Sequence, residues 1–229
     1  MKIAVIIARG GSKRIPNKNI KDFLGKPIIF YPINIALKSN LFDGVYVSSD
    51  SKQIKDIANK FGAKTPFTRS LENSNDLATT SDALLEFISK FSNKIGKIKY
   101  LTCIYPCSPF VTIDLLKKSL KIIQKKDVDT VLPVVEFSHP IQRSFSVTNN
   151  NKIKFSDNLI TKRTQDFSIN FHDAGMFYTL NVEKFIKSKT ILTDNTEAII
   201  IDKNMSQDID NHSDWRLAEI KYKLSFENK

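Results

Sequence analysis

Apolar and polar positions alternate along the chain in a pattern typical of α/β proteins. Residues 3–8 form an apolar, β-branched run that leads into Arg-Gly-Gly-Ser, which indicates a buried strand followed by a tight loop. Residues 44–50 predict a second strand that ends in small polar residues. Residues 51–61 carry apolar side chains at helical spacing and are closed by Gly62. The chain therefore opens with strand and helix in turn.

The same alternation continues towards the carboxyl end. Further helices are predicted at residues 28–39, 82–91, 112–124, 182–186 and 213–224. Further strands are predicted at residues 99–104, 129–135 and 197–201, and regular structure resumes at 175–180. Because strands joined through helices pair in parallel by right-handed crossovers, we expect an α/β fold: an open, mainly parallel sheet with helices on both faces.

The alternation is interrupted between residues 136 and 171. Residues 139–147 and 152–155 flank a polar turn at 148–151, which is typical of a β-hairpin. We therefore expect a single domain over residues 1–229, with 136–171 as an appendage.

Length and composition fit one globular domain. A chain of 229 residues buries one sizeable core, and 41% hydrophobic with 26% charged residues argues against disorder. The apolar run at the N-terminus is too short for a signal peptide, and no apolar stretch approaches the roughly 20 residues that a membrane-spanning helix needs. We expect a cytoplasmic protein without a membrane partner.

The net charge of +11 raises the alternative of a nucleic-acid-binding protein. Of the 35 basic residues, six are Arg and 29 are Lys, and most of the lysines are scattered over predicted helix faces. They form no stripe interleaved with aromatic residues, so a solvated surface explains them better and we expect no nucleic-acid partner.

Two cysteines, Cys103 and Cys107, are separated by Ile-Tyr-Pro, a spacing that matches no common zinc site. We expect both to be buried thiols.

Residues 9–19 place four cations, Arg9, Lys13, Arg14 and Lys18, around two adjacent glycines and Ser12. Glycines let backbone N–H groups approach an anion closely, and the cations add positive charge, so a triphosphate would suit this loop. The loop is neither a Walker loop nor a dinucleotide fingerprint, and a basic surface turn is the alternative.

Late in the chain, Asp208 and Asp210 stand two residues apart, beyond the predicted strand at 197–201. On an extended backbone both carboxylates point the same way and can hold one hard cation such as magnesium (Mg²⁺). The alternative is that one of them merely caps the following helix.

Together these segments make the chain resemble the CMP-sialic acid synthetase family of cytidylyltransferases, and most closely its pseudaminic acid branch. The resemblance rests on residues 9–19, 47–50, Arg69, 76–80, 105–106, 163–166, 172–175 and 208–210. It implies a fold like that of the nucleotide-diphospho-sugar transferases and a homodimer built through the appendage. It also implies that the anomeric hydroxyl of a nine-carbon acidic sugar attacks the α-phosphorus of CTP and releases pyrophosphate.

The resemblance also implies the residues of the site. Nucleotide-binding positions would be Ala8, Arg9, Gly10, Gly11, Ser12, Lys13, Lys18, Asn19, Arg69, Thr79 and Thr80. Catalytic positions would be Arg9, Lys18, Asp208 and Asp210, with the two aspartates carrying Mg²⁺. Sugar-binding candidates are Tyr105, Gln142, Arg143, Arg163, His172, Asp173 and Phe177. Structural ion pairs are the alternative for the two arginines, and a structural role is the alternative for the histidine.

The sugar is expected to be pseudaminic acid, with neuraminic or legionaminic acid as alternatives. Tyr105 replaces the Gln typical of the neuraminic branch, and Asp173-Ala174-Gly175 replaces its Asn-Gly-Ala. Against this, Met176 and Thr179 replace the Gln and Trp of the pseudaminic pattern.

Overall fold

The computed structural model describes residues 1–155 and 163–227. The strands are β1 (Lys2–Ile7), β2 (Asp22–Phe23), β3 (Lys26–Pro27), β4 (Gly44–Ser48), β5 (Tyr100–Ile104), β6 (Thr130–Glu136), β7 (Phe145–Val147), β8 (Ile153–Phe155), β9 (Phe171–Asp173), β10 (Phe177–Asn181) and β11 (Thr196–Ile200). The helices are α1 (Phe30–Lys38), α2 (Lys52–Lys60), α3 (Thr80–Lys94), α4 (Ile113–Lys125), α5 (Val182–Ser188) and α6 (His212–Tyr222). The predicted helices and the predicted strands of the central sheet are confirmed, with their ends moved by a few residues. In the hairpin segment predicted at 139–147, only Phe145–Val147 is a strand, and Ile141–Arg143 is a 3-10 helix.

A seven-stranded sheet forms the centre of the molecule, in the order β11-β6-β10-β5-β1-β4, with β9 paired to the end of β6. β1 runs parallel to both β4 and β5, and β11 runs parallel to β6. The expected mainly parallel sheet is confirmed.

Two strands depart from the parallel rule. β10 lies between β5 and β6 and is antiparallel to both, and β9 is antiparallel to β6. As a result the amino end of β10 reaches the same edge of the sheet as the carboxyl ends of the parallel strands, with Phe177 opposite Ile104. The segment between β9 and β10 therefore lies at the edge where ligands collect in α/β proteins.

Helices cover both faces of this sheet. Side chains of β1 alternate between them: Ala4 and Ile6 join a core cluster with α1, α2 and α6, while Ile3 and Val5 join a second cluster with α3 and α5. A strand buried on both faces explains why residues 3–8 are continuously apolar rather than alternating.

The C-terminal helix is held against the chain that follows β1. Phe23 is fully buried and makes edge-to-face contacts with Tyr31, Trp215 and Tyr222 at centroid distances of 5.3–5.7 Å. Such pairs add to the stabilisation that burial already gives. They fix the start of α6, and with it residues 208–210, beside the N-terminal loop.

The predicted hairpin is present as β7 paired with β8, at the expected turn. Residues 156–162 of the predicted appendage lie outside the described residues. Within the ranges that the structure covers, no helix is long and apolar enough to cross a membrane.

Candidate active site

A cleft of about 810 Å³ opens at the carboxyl edge of the sheet. Ligand pockets in proteins commonly have volumes of this order. Twelve of the predicted site residues line it: Arg9, Ser12, Lys13, Lys18, Asn19, Arg69, Thr79, Thr80, Tyr105, Asp173, Asp208 and Asp210. Residues from five separate parts of the chain thus meet in one place.

Two polar contacts hold the N-terminal loop, residues 9–19, in place. The Gly10 N–H donates to Asp50 Oδ1 at 2.9 Å, and the buried Asn19 donates from Nδ2 to the Arg9 carbonyl at 2.8 Å. A Cβ at position 10 would come within 3.1 Å of the Ser51 Cβ, so the close packing there favours glycine. The Gly10 N–H is thus engaged by Asp50, and its role in binding a nucleotide stays a prediction.

The loop also contacts the late aspartate pair directly. The Lys18 ammonium donates to the Ile209 carbonyl at 2.7 Å and lies 3.9 Å from Asp210 Oδ1. Arg14 pairs with Asp210 Oδ2 at 2.7 Å. Groups about 190 residues apart in sequence therefore share one wall of the cleft.

The helix-capping alternative for these aspartates is wrong. The cap of α6 is Asn211, whose side chain accepts from the N–H groups of Ser213 and Asp214. Asp214 completes the capping box and also accepts the backbone N–H of Asp210. The side chains of Asp208 and Asp210 are thus left to face the cleft.

These two carboxylates suit a hard cation. Burial raises the pKa of Asp208, the negative charge of Asp210 raises it further, and the nearby Lys18 lowers it. A bound cation would relieve both of the effects that raise this pKa. In the parts of the chain that the structure describes, no group of three or more His, Cys, Asp or Glu side chains converges on a possible metal position. The pair Asp208 and Asp210 offers two carboxylates to such a cation.

Arg69 also lines the cleft and has unused hydrogen-bonding capacity. Its side chain is buried, and its Nε and Nη2 have no hydrogen-bond partner among residues 1–155 and 163–227. Burial lowers its pKa, while Asp50 and Glu86 raise it. A buried guanidinium with unpaired donors is costly, so its place in the cleft points to a ligand that accepts from it.

Glu86 on α3 holds the backbone next to Arg69 in place. It accepts from the Ser70 N–H at 2.8 Å, the Ser70 hydroxyl at 2.7 Å and Asn73 Nδ2 at 2.6 Å. Burial opposes its ionisation, but these bonds and one from Lys90 outweigh burial and hold its pKa at about 2. Glu86 was not singled out from the sequence, because an acidic residue inside a helix carries no distinguishing pattern.

A chain of hydroxyl groups crosses the floor of the cleft. Thr80 Oγ1 lies 3.2 Å from the Tyr105 hydroxyl, which donates to the Tyr178 hydroxyl at 3.5 Å, and Tyr178 in turn donates to Asp173. The other oxygen of Asp173 accepts the Gly175 N–H at 2.8 Å. Burial raises the pKa of both tyrosines, so both remain neutral donors. Sequence reasoning missed Tyr178.

Gly175 fits between this chain of hydroxyls and the aspartate pair. Its φ of +65° is unfavourable for other residues, and a Cβ there would lie 4.0 Å from the Asp208 Cγ. The turn lets Asp173 and Asp208 face the same space.

The remaining predicted residues do not line the cleft. Ala8 and Phe177 are fully buried in the core, Gly10 is half-buried and Gly11 is exposed outside the cleft. In the appendage, Arg143 lies over the Phe167 ring at 5.8 Å, Arg163 pairs with Asp166 at 3.2 Å, and the His172 ring contacts Phe137. Gln142 is half-buried, and its Oε1 has no partner among the described residues. The sugar-binding roles of Gln142, Arg143, Arg163, His172 and Phe177 stay predictions.

The two cysteines differ in their surroundings. Cys103 is fully buried, as expected, but Cys107 lines the cleft and is partly exposed, so that expectation is wrong for Cys107. Cys107 Sγ lies 3.4 Å from Asn19 Oδ1, and burial raises the pKa of the thiol to about 12. It remains a neutral thiol at physiological pH.

Comparison with known proteins identifies the group to which the chain belongs. A family model described as "Cytidylyltransferase" matches residues 3–220. The chain belongs to the cytidylyltransferase family.

The curated relatives of this cytidylyltransferase are named for several different acidic sugars. Pseudaminic acid cytidylyltransferase of Campylobacter jejuni is 35% identical over 99% of this chain and 98% of that protein. CMP-N,N'-diacetyllegionaminic acid synthase of Legionella pneumophila is 29% identical over 95% of this chain and 94% of that protein. N-acylneuraminate cytidylyltransferase of Escherichia coli is 29% identical over 94% of this chain, which spans about half of that protein's length (51%).

Solved structures support the fold of this cytidylyltransferase. The CMP:2-keto-3-deoxy-manno-octonic acid synthetase complexed with CTP superposes with a TM-score of 0.70 at 16% identity, covering 99% of both chains. The 4-diphosphocytidyl-2C-methyl-D-erythritol synthase of Anaerococcus prevotii gives a TM-score of 0.64 at 14% identity, covering 97% of this chain and 98% of that one. At these identities the likeness concerns the fold.

The aspartate pair gives a testable electrostatic prediction. The substitution Asp210→Asn removes a negative charge that raises the pKa of Asp208, so this pKa should fall. Carboxyl ¹³C NMR titration measures it directly. The control substitution Asp114→Asn removes a charge of the same sign from the exposed first turn of α4 and should leave the pKa of Asp208 unchanged. An unchanged or higher pKa of Asp208 in Asp210→Asn would refute the coupling.

Proposed function

We propose that this protein transfers CMP from CTP to the anomeric hydroxyl of a nonulosonic acid, with pseudaminic acid as the sugar. The new bond joins the sugar oxygen to the α-phosphorus, the bond to pyrophosphate breaks, and the hydroxyl proton passes to water. The observation that carries the proposal is the contact between the cationic N-terminal loop and the Asp208–Asp210 segment, with Lys18 2.7 Å from the Ile209 carbonyl.

The loop cations bind the triphosphate. Arg9, Lys13 and Lys18 line the same part of the cleft as the Ser12 hydroxyl, so they offer charge and hydrogen bonds to several phosphate oxygens. Transfer at phosphorus depends on positioning and on neutralising the charge that develops on the leaving pyrophosphate. These cations therefore act in catalysis as well as in binding.

Arg69, Thr79 and Thr80 bind the cytidine. The unpaired Nε and Nη2 of Arg69 are donors with no acceptor among the described residues, and the cytosine ring offers a carbonyl oxygen and a ring nitrogen as acceptors. Because Glu86 fixes the backbone of Ser70, the guanidinium needs little reordering on binding.

Asp208 and Asp210 hold a magnesium ion. When bound there, Mg²⁺ supplies positive charge that orients the phosphates and offsets their negative charge. Lys18 and Arg14 keep Asp210 in place from the other side.

The floor of the cleft binds the sugar. Tyr105 and Asp173 both line the cleft and present polar groups whose orientation Tyr178 fixes. The pseudaminic acid enzyme of C. jejuni, 35% identical over nearly the whole chain, supports pseudaminic acid over the legionaminic and neuraminic acids of the relatives at 29%. Met176 and Thr179, which depart from the pseudaminic pattern, are both buried in the core and do not line the cleft.

The enzyme works as a homodimer in the cytoplasm, where CTP is made. The β7–β8 hairpin leaves Phe145, Val147, Ile153 and Phe155 about half exposed, and a second copy of the chain would cover them. Gln142, Arg143 and Arg163 lie on this appendage rather than at the cleft, and each reaches the sugar carboxylate of the neighbouring subunit.

Turnover with different sugars tests the substrate. Purified protein with CTP and Mg²⁺ should release pyrophosphate with pseudaminic acid, and more slowly or not at all with neuraminic or legionaminic acid.

Arg9→Ala should lower kcat/KM for CTP by roughly 10- to 100-fold, because a charge-assisted hydrogen bond is worth ~1.5–3 kcal/mol. The exposed Arg216, on α6, supplies the control Arg216→Ala, which should behave as wild type. Preferred turnover of neuraminic acid would overturn the substrate, and no CTP turnover with any sugar would overturn the proposal.

Solution mass tests the dimer. Wild-type protein should have twice the mass of one chain by light scattering, and Phe145→Ser with Phe155→Ser should shift it towards monomer, because both rings would lose buried apolar contact. Leu192→Ser changes an equally exposed apolar residue elsewhere and should leave the mass unchanged. A monomeric wild type, or a double variant that stays dimeric, would contradict this interface.

A further inference from the structure

Asp76 contacts two of the cations that the proposed function assigns to the triphosphate. Its Oδ1 accepts from Arg9 Nη1 at 2.8 Å, and its Oδ2 pairs with the Lys13 ammonium. Arg9 Nη1 also donates to the Asn75 carbonyl at 2.8 Å. A carboxylate of the chain itself therefore stands against the phosphate-binding groups.

Asp76 belongs to a loop, residues 70–79, whose two ends are firmly held. At the start, Ser70 and Asn73 are bonded to Glu86. At the end, Thr79 and Asp82 form the capping box of α3. Between these anchors the loop is open to solvent, with Leu71 83% and Leu77 90% exposed. The contacts of Asp76 and Asn75 with Arg9 join this loop to the N-terminal loop at the cleft.

The ion pairs at Asp76 are of a kind that a stronger anion can displace. The side chains of Arg9, Lys13 and Asp76 are 39%, 80% and 45% exposed, and exposed ion pairs contribute little because water screens them. Lys13 and Arg9 lower the pKa of Asp76, so it is ionised at neutral pH. A triphosphate carries more charge than one carboxylate and can bind both cations at once.

We infer that Asp76 is a positioning residue that acts as a resident anion: it holds Arg9 and Lys13 facing the empty cleft and gives them up to the CTP phosphates. This inference rests on the proposed function. Ligands that cannot engage both cations, such as cytidine alone, leave Asp76 in place. Asp76 thus lowers the affinity for ligands that carry a phosphate chain and leaves the affinity for the bare nucleoside unchanged.

The direction of its effect on CTP affinity follows from the other contacts of Arg9. Without Asp76 the guanidinium still donates to the Asn75 carbonyl, and the Arg9 carbonyl still accepts from Asn19. The orientation of Arg9 is therefore largely kept, while the competing negative charge is gone. The loss of competition should dominate, so removing the charge of Asp76 should tighten CTP binding.

The test compares Asp76→Asn with wild type and with Glu72→Gln. Asp76→Asn keeps the shape of the side chain and removes its charge, and Glu72→Gln removes the same charge from an exposed position of the same loop. Calorimetric titration without sugar should give a Kd for CTP that is roughly two- to tenfold lower in Asp76→Asn, with a similar fall for pyrophosphate. Cytidine, which has no phosphate, should bind all three proteins equally. The KM for CTP should fall and the KM for the sugar should stay the same.

Several outcomes would overturn the inference. If Asp76→Asn binds CTP as weakly as wild type, or more weakly, Asp76 does not compete with the phosphates. If Glu72→Gln tightens CTP binding equally, the effect is general charge and not the contact with Arg9 and Lys13. A damaged fold would weaken CTP binding, so it cannot produce the expected increase in affinity. Thermal melting checks the fold separately. A wild-type protein that binds no CTP would instead refute the proposed function.

Discussion

The site depends on one contact, the hydrogen bond from the Lys18 ammonium to the Ile209 carbonyl. It joins the loop after the first strand to the segment before the last helix, and it places Lys18 3.9 Å from Asp210. The packing of Phe23 against Trp215 and Tyr222 supports this contact from within the core. The parallel strands and the antiparallel β10 all have loops at one edge of the sheet. These loops bring the remaining site residues close together.

Charge in the cleft is nearly balanced without a ligand. The cations that line it are Arg9, Lys13, Arg14, Lys18 and Arg69, and the acids are Asp76, Asp173, Asp208 and Asp210. Most of these groups already have an internal partner: Asp76 for Arg9 and Lys13, and Asp210 for Arg14 and Lys18. Arg69 differs, because its burial leaves two donors unpaired. A nucleotide would therefore replace internal partners of the cations and complete the hydrogen bonding of Arg69.

Much of this could be predicted from the sequence, and the exceptions have physical causes. Hydrophobic periodicity marked the strands and helices, but it carries no information on strand direction, so the antiparallel β10 was not foreseen. Residue type marked the cations and the aspartate pair. It did not show that Asp50 would take the Gly10 N–H, nor that Phe177 would face the core, because both depend on tertiary packing. Tyr178 contacts Tyr105 and Asp76 contacts Arg9, and both contacts join residues distant in sequence, which no local pattern contains.

The most direct test of the account is whether the two ends of the chain share one metal and nucleotide site. Mn²⁺ in place of Mg²⁺, added with a non-hydrolysable CTP analogue, broadens the amide NMR signals of residues near the bound ion. The account predicts that signals from residues 9–19 and 207–210 disappear together, and only when the nucleotide is present with the metal. Broadening of just one of these segments, or of signals remote from the cleft, would contradict it.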